Sequence, residues 1–135
     1  MNVEVRLYKD DDYDAVNRII LMSFGYEKSK INDDKAHEFV ACIDNKVVGY
    51  LILNEMKDII KNIIICHIDY VCVDLEYRGQ KIGKKMMECV ISYAKEKGVS
   101  RIELTSNPKR VAAHKLYENC GFIKRDTDVF RKELV

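Results

Sequence analysis

The chain has 135 residues, of which 47% are hydrophobic and 33% are charged, and its 23 lysines and arginines nearly balance 22 aspartates and glutamates. This length suits one domain, which we predict over residues 1–135, and the balanced charge argues against a nucleic-acid partner. No apolar run approaches the roughly 18 residues that cross a bilayer, and the first residues are acidic where a signal peptide is basic, so we expect a cytoplasmic protein without a membrane partner.

The first third of the chain is predicted to form a strand, a helix and a lid. Apolar residues alternate with polar ones over residues 3–7, which indicates a strand. Three aspartates at 10–12 provide N-cap chemistry for a helix that runs to about Ser23. The polar stretch at 25–34, GYEKSKINDD, predicts a mobile or short-helical lid over one end of a sheet.

The middle of the chain is predicted to form strands. Residues 37–43 and 47–56 flank the turn-forming triplet DNK, which indicates an antiparallel hairpin. A further apolar run predicts a strand at about 62–73, after a break near Asp58.

The last third alternates helices with strands. An apolar stripe at helical spacing predicts a helix over 81–97, followed by a strand at 101–106 and a helix from Pro108 to about Asn119. The stretches FIKRD and VFRKEL are predicted to close the sheet as a hairpin. The resulting order indicates a mixed α+β domain with the sheet as its floor.

A glycine-containing turn joins the central strand to the helix that follows it. Glu76–Met87 reads EYRGQKIGKKMM, with two glycines and four cationic side chains. A helix N-terminus exposes unpaired N–H groups, and glycine lets them approach an anion, so the turn is typical of a phosphate cradle. It is neither a Walker loop nor the GxGxxG dinucleotide fingerprint. A solvated basic first turn is the alternative.

Two segments carry a resemblance to a known family. VCVDLEYRGQKIG at 71–83 resembles the motif [QR]-x-x-G-x-[GA] of the GNAT superfamily of N-acetyltransferases, with Arg78 and Gly83 matching and Lys81 where glycine is commonest. NPKRVAAHKLYENCGF at 107–122 resembles the following segment of that family. The resemblance implies the acyl-CoA N-acyltransferase fold, a mostly antiparallel splayed sheet of about seven strands flanked by about four helices.

The resemblance also implies the co-substrate and its binding residues. Acetyl-CoA would donate the acetyl group, with no metal ion required. Its diphosphate would lie on the turn formed by Arg78, Gly79, Gln80, Lys81, Ile82, Gly83 and Lys84. Its pantetheine arm would pair with the backbone of Val71, Cys72 and Val73 and with Asn107, and Arg110 and His114 are further candidates for cofactor binding.

Acetyl transfer from a thioester to an amine requires a base for the amine and a proton for the departing thiolate. The resemblance implies Tyr117 as the general acid. Regular strand alternation puts His67, Asp69, Val71 and Val73 on one face, so His67 and Asp69 are candidate bases. Glu103 on the next strand is a third candidate. The alternative for each is a hydrogen-bonded structural role.

The predicted acceptor is a small molecule with a primary amine, which attacks directly. HIDYVCVDLEYRGQKIG resembles glucosamine-phosphate N-acetyltransferases, and SNPKRVAAHKLYENCGF resembles aminoalkylphosphonate N-acetyltransferases. Both act on amines that carry an anion, which Lys109 and Arg110 could bind. Two other functions stay open: a non-catalytic acyl-CoA-binding module, and acetylation of a protein N-terminus or lysine.

Cysteines and histidines give no sign of a metal or disulfide framework. The five cysteines are widely spaced without a CxxC pair, which favours small buried thiols, and the three histidines lack local ligand spacing. The closing strand at 129–134 could pair between two copies, so a homodimer is an open alternative.

Overall fold

The computed structural model describes residues 2–135. The elements, in chain order, are β1 (Val3–Leu7), α1 (Tyr13–Phe24), β2 (Ala36–Ile43), β3 (Lys46–Asp58), β4 (Ile63–Val73), α2 (Ile82–Glu96), β5 (Val99–Glu103) and α3 (Val111–Asn119). They group into two compact units, one ending at Thr105 and one spanning Ser106–Val135. None of the helices in the described part of the chain is both long and apolar enough to span a membrane. The single domain over 1–135 stays a prediction.

The first unit is built on one five-stranded sheet in the order β1-β2-β3-β4-β5. All neighbouring strands are antiparallel except β4 and β5, which are parallel. The predicted hairpin is present, and its turn residues Asp44 and Asn45 both have positive φ, at 50° and 64°. Two consecutive residues of that kind form the tight turn whose twist matches the paired strands.

Helices cover both faces of this sheet. On one face, α1 buries Val16 and Ile19 in a cluster with Val40, Tyr50 and Cys72 of the strands. On the other face, α2 brings Tyr93 edge-on to Phe39, with ring centres 5.0 Å apart. Apolar residues at 3.6-residue spacing on each helix and alternating residues on each strand therefore produce a layered core.

A bulge interrupts β4. Tyr50 of β3 lies opposite Cys72, whereas Ile52 lies opposite Asp69, so β4 contains one extra residue between these pairs. Tyr70 in this interval has a φ of 56°. Such an insertion reverses the side-chain alternation beyond it.

The bulge corrects one prediction about β4. Directly opposed residues share a face, so His67 and Asp69 lie on the α1 side together with Cys72. The prediction that Val71 and Val73 share this face is wrong, because it assumed an uninterrupted strand.

The sheet opens between β4 and β5. Their pairing runs from Ile64 beside Val99 to His67 beside Glu103 and goes no further. Beyond this point, β5 no longer pairs with β4. The opening agrees with the splayed sheet implied by the resemblance.

Five strands and three α-helices replace the predicted seven and four. The stretches FIKRD and VFRKEL form no hairpin, and residues 122–135 contain no helix or strand. Ile123, Phe130 and Leu134 are largely exposed there. Alternation alone does not create a strand when the backbone lacks a paired neighbour.

Two smaller differences concern the helices. The segment 25–34 contains no helix, so the short-helical form of the predicted lid is wrong. The last helix begins at Val111 rather than at Pro108. The Asn107 side chain accepts a hydrogen bond from the Lys109 N–H, which holds this stretch in a turn ahead of the helix.

Candidate active site

A buried aspartate fixes the chain where β4 ends. Asp74 is 1% exposed, and its N–H donates to the carbonyl of Val48 at 2.7 Å. Arg18 of α1 donates to one of its carboxylate oxygens, and the N–H of Glu76 donates to the other. Burial acts to raise the pKa of Asp74, but these hydrogen bonds outweigh it and the pKa is lowered. The charged carboxylate thus anchors the start of the turn.

The turn itself has the backbone shape that its glycine motif suggests. Gly79 has a φ of 81°. Lys81, which stands where the family most often has glycine, has φ 62° and ψ 23° and so lies in the left-handed region that glycine favours. The lysine therefore does not divert the backbone into a right-handed path. Arg78 Nε also donates to the carbonyl of Val73 at 3.2 Å, which folds the turn back on β4.

The N-terminus of α2 fits an anion. Its first helical hydrogen bond runs from the Lys85 N–H to the Lys81 carbonyl, at 3.1 Å, so the preceding N–H groups of the first turn lack helical partners. Ile82 is buried and anchors the helix, while the cations around it are exposed. No ion pair within residues 2–135 involves Arg78, Lys81, Lys84 or Lys85. Unpaired donors and cations at one helix end suit a diphosphate.

Two of the predicted bases lie together on β4. Nδ1 of His67 is 3.2 Å from a carboxylate oxygen of Asp69. Asn54 of β3 donates to the other Asp69 oxygen at 2.7 Å. The side chains of His67 and Asp69 are 39% and 37% exposed, so the pair is accessible from solvent. Asn54 escaped the sequence analysis because only the sheet register brings β3 beside this part of β4.

Glu103, the third candidate base, is the β5 neighbour of His67. Its carboxylate lies 3.8 Å from Arg101 Nε, and about half of its side chain is exposed. Glu103 is thus paired with a cation, whereas Asp69 accepts a hydrogen bond from Asn54 and lies against His67.

The remaining predicted residues belong to the second unit. Nε2 of His114 lies 3.0 Å from the carbonyl oxygen of Asn107, which also accepts the N–H of Arg110. The carboxamide oxygen of Asn107 is used by Lys109, while its amino group has no protein partner within residues 2–135. Asn107 therefore keeps a side-chain donor for a ligand.

Tyr117 is buried in this second unit, at 7% exposure, with its ring 6.2 Å from that of Phe122. Its hydroxyl makes no hydrogen bond with any described residue. Burial raises the pKa of Tyr117, against a smaller opposing effect of Arg110. The group is therefore protonated at neutral pH and has an O–H available to donate.

A cleft of about 380 Å³ lies on the α1 side of the first unit, and the predicted lid segment lines it. The lid is tied to α1 because the Lys28 N–H donates to Asn17 at 2.7 Å and the Tyr13 hydroxyl donates to the Lys28 carbonyl. Tyr70, from the β4 bulge, also lines the cleft. The cleft thus reaches the strand that carries His67 and Asp69.

Glu38 of β2, in the lining of this cleft, contacts two other side chains of the lining. Its Oε1 atom accepts a hydrogen bond from the Tyr50 hydroxyl at 2.5 Å and lies 2.9 Å from Lys28 Nζ. Burial, reinforced by the bond to Glu38, raises the pKa of Tyr50, which keeps its hydroxyl a donor. Sequence reasoning missed Glu38, Tyr50 and Lys28, since their contact depends on tertiary structure.

Comparisons with known proteins relate this arrangement to a family. The model of the acetyltransferase (GNAT) family matches residues 5–122. "Probable N-acetyltransferase camello" from Xenopus laevis is 34% identical over 98 residues, 73% of this chain and 43% of that protein. Streptothricin acetyltransferase from Escherichia coli is 28% identical over 109 residues, 78% of this chain and 60% of that protein. The chain thus spans about half the length of these curated relatives.

A solved structure supports the fold independently of sequence. A transcriptional regulator from Bacillus halodurans C-125 superimposes with a TM-score of 0.84, covering 98% of this chain and 100% of that one at 22% identity. The predicted fold class is confirmed, with fewer strands than expected. The family match extends across nearly the whole chain, and the chain belongs to the GNAT family of acetyltransferases.

Proposed function

We propose that this protein transfers an acetyl group from acetyl-CoA to a primary amine of a small molecule. The observation that carries the proposal is the opening of the sheet beyond the His67–Glu103 pair, where β5 no longer pairs with β4 and the chain leads through one short turn to the N-terminus of α2. An extended amide-containing arm can hydrogen-bond to a free strand edge, and a diphosphate can bind the helix end that follows.

The co-substrate would be held mainly by backbone groups. Val71, Cys72 and Val73 offer the strand edge, and the turn from Arg78 to Lys84 offers N–H groups with cations around them. Asn107, Arg110 and His114 of the second unit are assigned to the same ligand by the family resemblance. When bound, acetyl-CoA supplies an acetyl group that is activated as a thioester.

His67 is the proposed general base, with Asp69 as the residue that positions it. Asp69 is held by Asn54 and faces Nδ1 of His67, so the other ring nitrogen is left to take a proton from the amine. The amine nitrogen then forms a bond to the acetyl carbon as the carbon–sulfur bond breaks, and the sulfur leaves as a thiolate.

Tyr117 is the proposed general acid for this thiolate. A tyrosine hydroxyl can donate a proton to a departing thiolate, and the Tyr117 hydroxyl makes no hydrogen bond with a described residue that would compete with this donation. The amine proton thus passes to His67 and the Tyr117 proton to sulfur, which balances the reaction. Direct transfer needs no acetyl-cysteine intermediate.

The test combines binding with product detection. Calorimetric titration with acetyl-CoA, with ATP and with coenzyme A lacking its 3′-phosphate reports on the cradle, and mass spectrometry of incubated amines reports on transfer. We expect acetyl-CoA to bind at about one per chain, ATP not to replace it, and an amine to gain one acetyl group. Binding without transfer to any amine would instead support a non-catalytic acyl-CoA-binding module.

A further inference from the structure

The cleft on the α1 side is lined by more acidic than basic side chains. Within residues 2–135, its lining includes three carboxylates and one ammonium group: Glu27, Asp33, Glu38 and Lys28. Its other lining is largely aromatic and aliphatic, with Tyr26, Tyr70 and Ile52 among the contributors. Carboxylates beside aromatic rings suit a ligand that carries positive charge and some apolar surface.

One end of the cleft already accommodates an ammonium group of the protein itself. Lys28 Nζ lies 2.9 Å from Glu38 Oε1 and 4.8 Å from the centre of the Tyr8 ring. An anionic oxygen and an aromatic face together stabilise a cation in this position.

Glu38 retains capacity for a second cation. The Tyr50 hydroxyl donates to Oε1, which is also the carboxylate oxygen nearest to Lys28 Nζ. Among the described residues, none donates a hydrogen bond to Oε2. A carboxylate accepts several hydrogen bonds, so a ligand can bind Oε2 without displacing Lys28.

An acceptor that carries an anion, as the local resemblances implied, fits this cleft poorly. Lys28 is the ammonium that such an anion would meet, and it is already paired with Glu38. The other carboxylates would repel the anion, and desolvating an unpaired charge is costly.

The sheet register gives the distance between the two ends of such a ligand. Glu38, Ile52 and Asp69 lie directly opposite one another on β2, β3 and β4. Neighbouring strands are about 4.8 Å apart, so the β2 and β4 positions are separated by about 9.6 Å. A ligand that reaches from Glu38 to Asp69, whose carboxylate lies 3.2 Å from Nδ1 of His67, must span a similar length.

We propose that the acceptor is a diamine-like cation, with one amine presented to His67 and a second cationic nitrogen bound at Glu38, on the order of 9 Å away. The inference rests on the proposed function, because it assigns the amine that reacts. The cation site at Glu38 is itself a property of the cleft and can be measured without turnover.

Three probes with six-carbon chains test how binding depends on the charge at the end opposite the reacting amine. Hexane-1,6-diamine, hexylamine and 6-aminohexanoate each present one amine and end in a cationic, neutral or anionic group. Their binding to the full chain is measured by calorimetry at constant ionic strength, and acetylation is followed by mass spectrometry in parallel. We expect the diamine to bind at least about tenfold more tightly than hexylamine, and 6-aminohexanoate to bind least tightly.

Two variants test whether Glu38 binds the second cationic nitrogen. Glu38→Gln keeps an acceptor for the Tyr50 hydroxyl and is expected to remove most of the preference for the diamine. Glu27→Gln removes the same charge from another residue of the lining and is expected to have a smaller effect. Thermal melting verifies that both are folded, and the ranking of the probes by the unmodified chain needs no variant.

The outcomes distinguish the cation site at Glu38 from the proposed acetyl transfer. Equal binding of the probes, preference for 6-aminohexanoate, or no binding of the diamine overturns the cation site, whether or not transfer occurs. A preference that survives intact in Glu38→Gln overturns the role of Glu38. Diamine preference that depends on Glu38, without acetyl transfer from acetyl-CoA, supports the cation site and overturns the proposed function alone.

Discussion

Asp69 lies 3.2 Å from Nδ1 of His67, on the same face of β4 and two residues further along the chain. Because Asn54 holds the second oxygen of Asp69, the imidazole meets a carboxylate whose own orientation is restrained. A base that is oriented by a carboxylate through one ring nitrogen can use the other for proton transfer. In the proposed mechanism, His67 therefore takes the proton and Asp69 positions it.

The proposed roles of His67 and Asp69 predict that their substitutions lower kcat by unequal factors. His67→Gln should lower kcat by roughly a hundredfold or more, because the amine loses its base. Asp69→Asn should lower kcat less, since the base is retained but held less firmly. The measurements are kcat with a chosen amine and the Kd of acetyl-CoA by calorimetry.

The control for these variants is Glu103→Gln, on the strand beside His67. We expect it to change kcat little, while all three variants bind acetyl-CoA normally. A larger loss in Glu103→Gln than in His67→Gln would transfer the base to Glu103.

The Tyr117 hydroxyl is predicted to matter for turnover and little for stability. Tyr117→Phe removes an O–H that has no hydrogen-bond partner among the described residues, while the buried ring remains. We therefore expect an unchanged melting temperature, unchanged acetyl-CoA binding and a large fall in kcat. A kcat close to that of the unmodified chain would exclude Tyr117 as the acid.

The raised pKa of Tyr117 adds a pH dependence to this prediction. Burial places it above the ordinary value of 10.0, so the hydroxyl remains protonated below that pH. We expect no alkaline loss of kcat below about pH 10 from this group. A decline in kcat near pH 8 that disappears in Tyr117→Phe would contradict the raised pKa of Tyr117.

Most of the regular structure could be predicted because it depends on local signals. The hairpin at Asp44 and Asn45 follows from turn chemistry, and α2 follows from an apolar stripe with a glycine just beyond its end. The bulge at Tyr70 could not be predicted in this way. One extra residue leaves the apolar pattern of β4 nearly unchanged, yet it moves Val71 and Val73 to the other face.

The proposed diphosphate site at the turn and the cleft at Glu38 also differ in how far local sequence predicts them. The cradle residues from Arg78 to Lys84 are consecutive, so a short motif predicts them together. Glu38 and Lys28 are ten residues apart on a strand and a lid, and their ion pair depends on how the lid is tied to α1. Contacts of this kind depend on tertiary structure, so the sequence analysis predicted the residues of the turn together but did not identify the cleft.

The left-handed conformation of Lys81 predicts a stabilising substitution. With φ at 62°, Lys81→Gly should raise the free energy of unfolding by about 1 kcal/mol, because glycine has no Cβ to strain this conformation. Lys84→Gly is the matched control. It lies in the first turn of α2 and should lower the free energy of unfolding by about 1 kcal/mol.

Urea unfolding measures the change in the free energy of unfolding for Lys81→Gly and for Lys84→Gly. Calorimetry should show that acetyl-CoA still binds to Lys81→Gly, since the proposed contacts are mainly from the backbone. Destabilisation of similar size in both variants would mean that the conformation of Lys81 in solution is right-handed.

Asp12 predicts how stability depends on pH. It accepts two hydrogen bonds from Arg6, at 2.8 and 2.9 Å, and a third from the Lys9 N–H, and it is buried beside the start of α1. The bonds from Arg6, opposed by burial and supported by the Lys9 N–H, hold the pKa of Asp12 below its ordinary value of 3.8. Its contribution to stability is therefore present above about pH 4 and is lost as the pH falls through the lower folded-state pKa.

Asp12→Asn should consequently lower the free energy of unfolding at pH 7 by about 1.5–3 kcal/mol, the range for hydrogen bonds to a charged group. The difference from the unmodified chain should shrink as the pH approaches 2, because protonation weakens the same bonds in the unmodified protein. Asp11→Asn, at an exposed neighbouring position, is the control and should change stability little at either pH. Urea unfolding at pH 7, 4 and 2.5 checks the trend, and a constant difference across this range would show that the Asp12 carboxylate gains no stability from its charge.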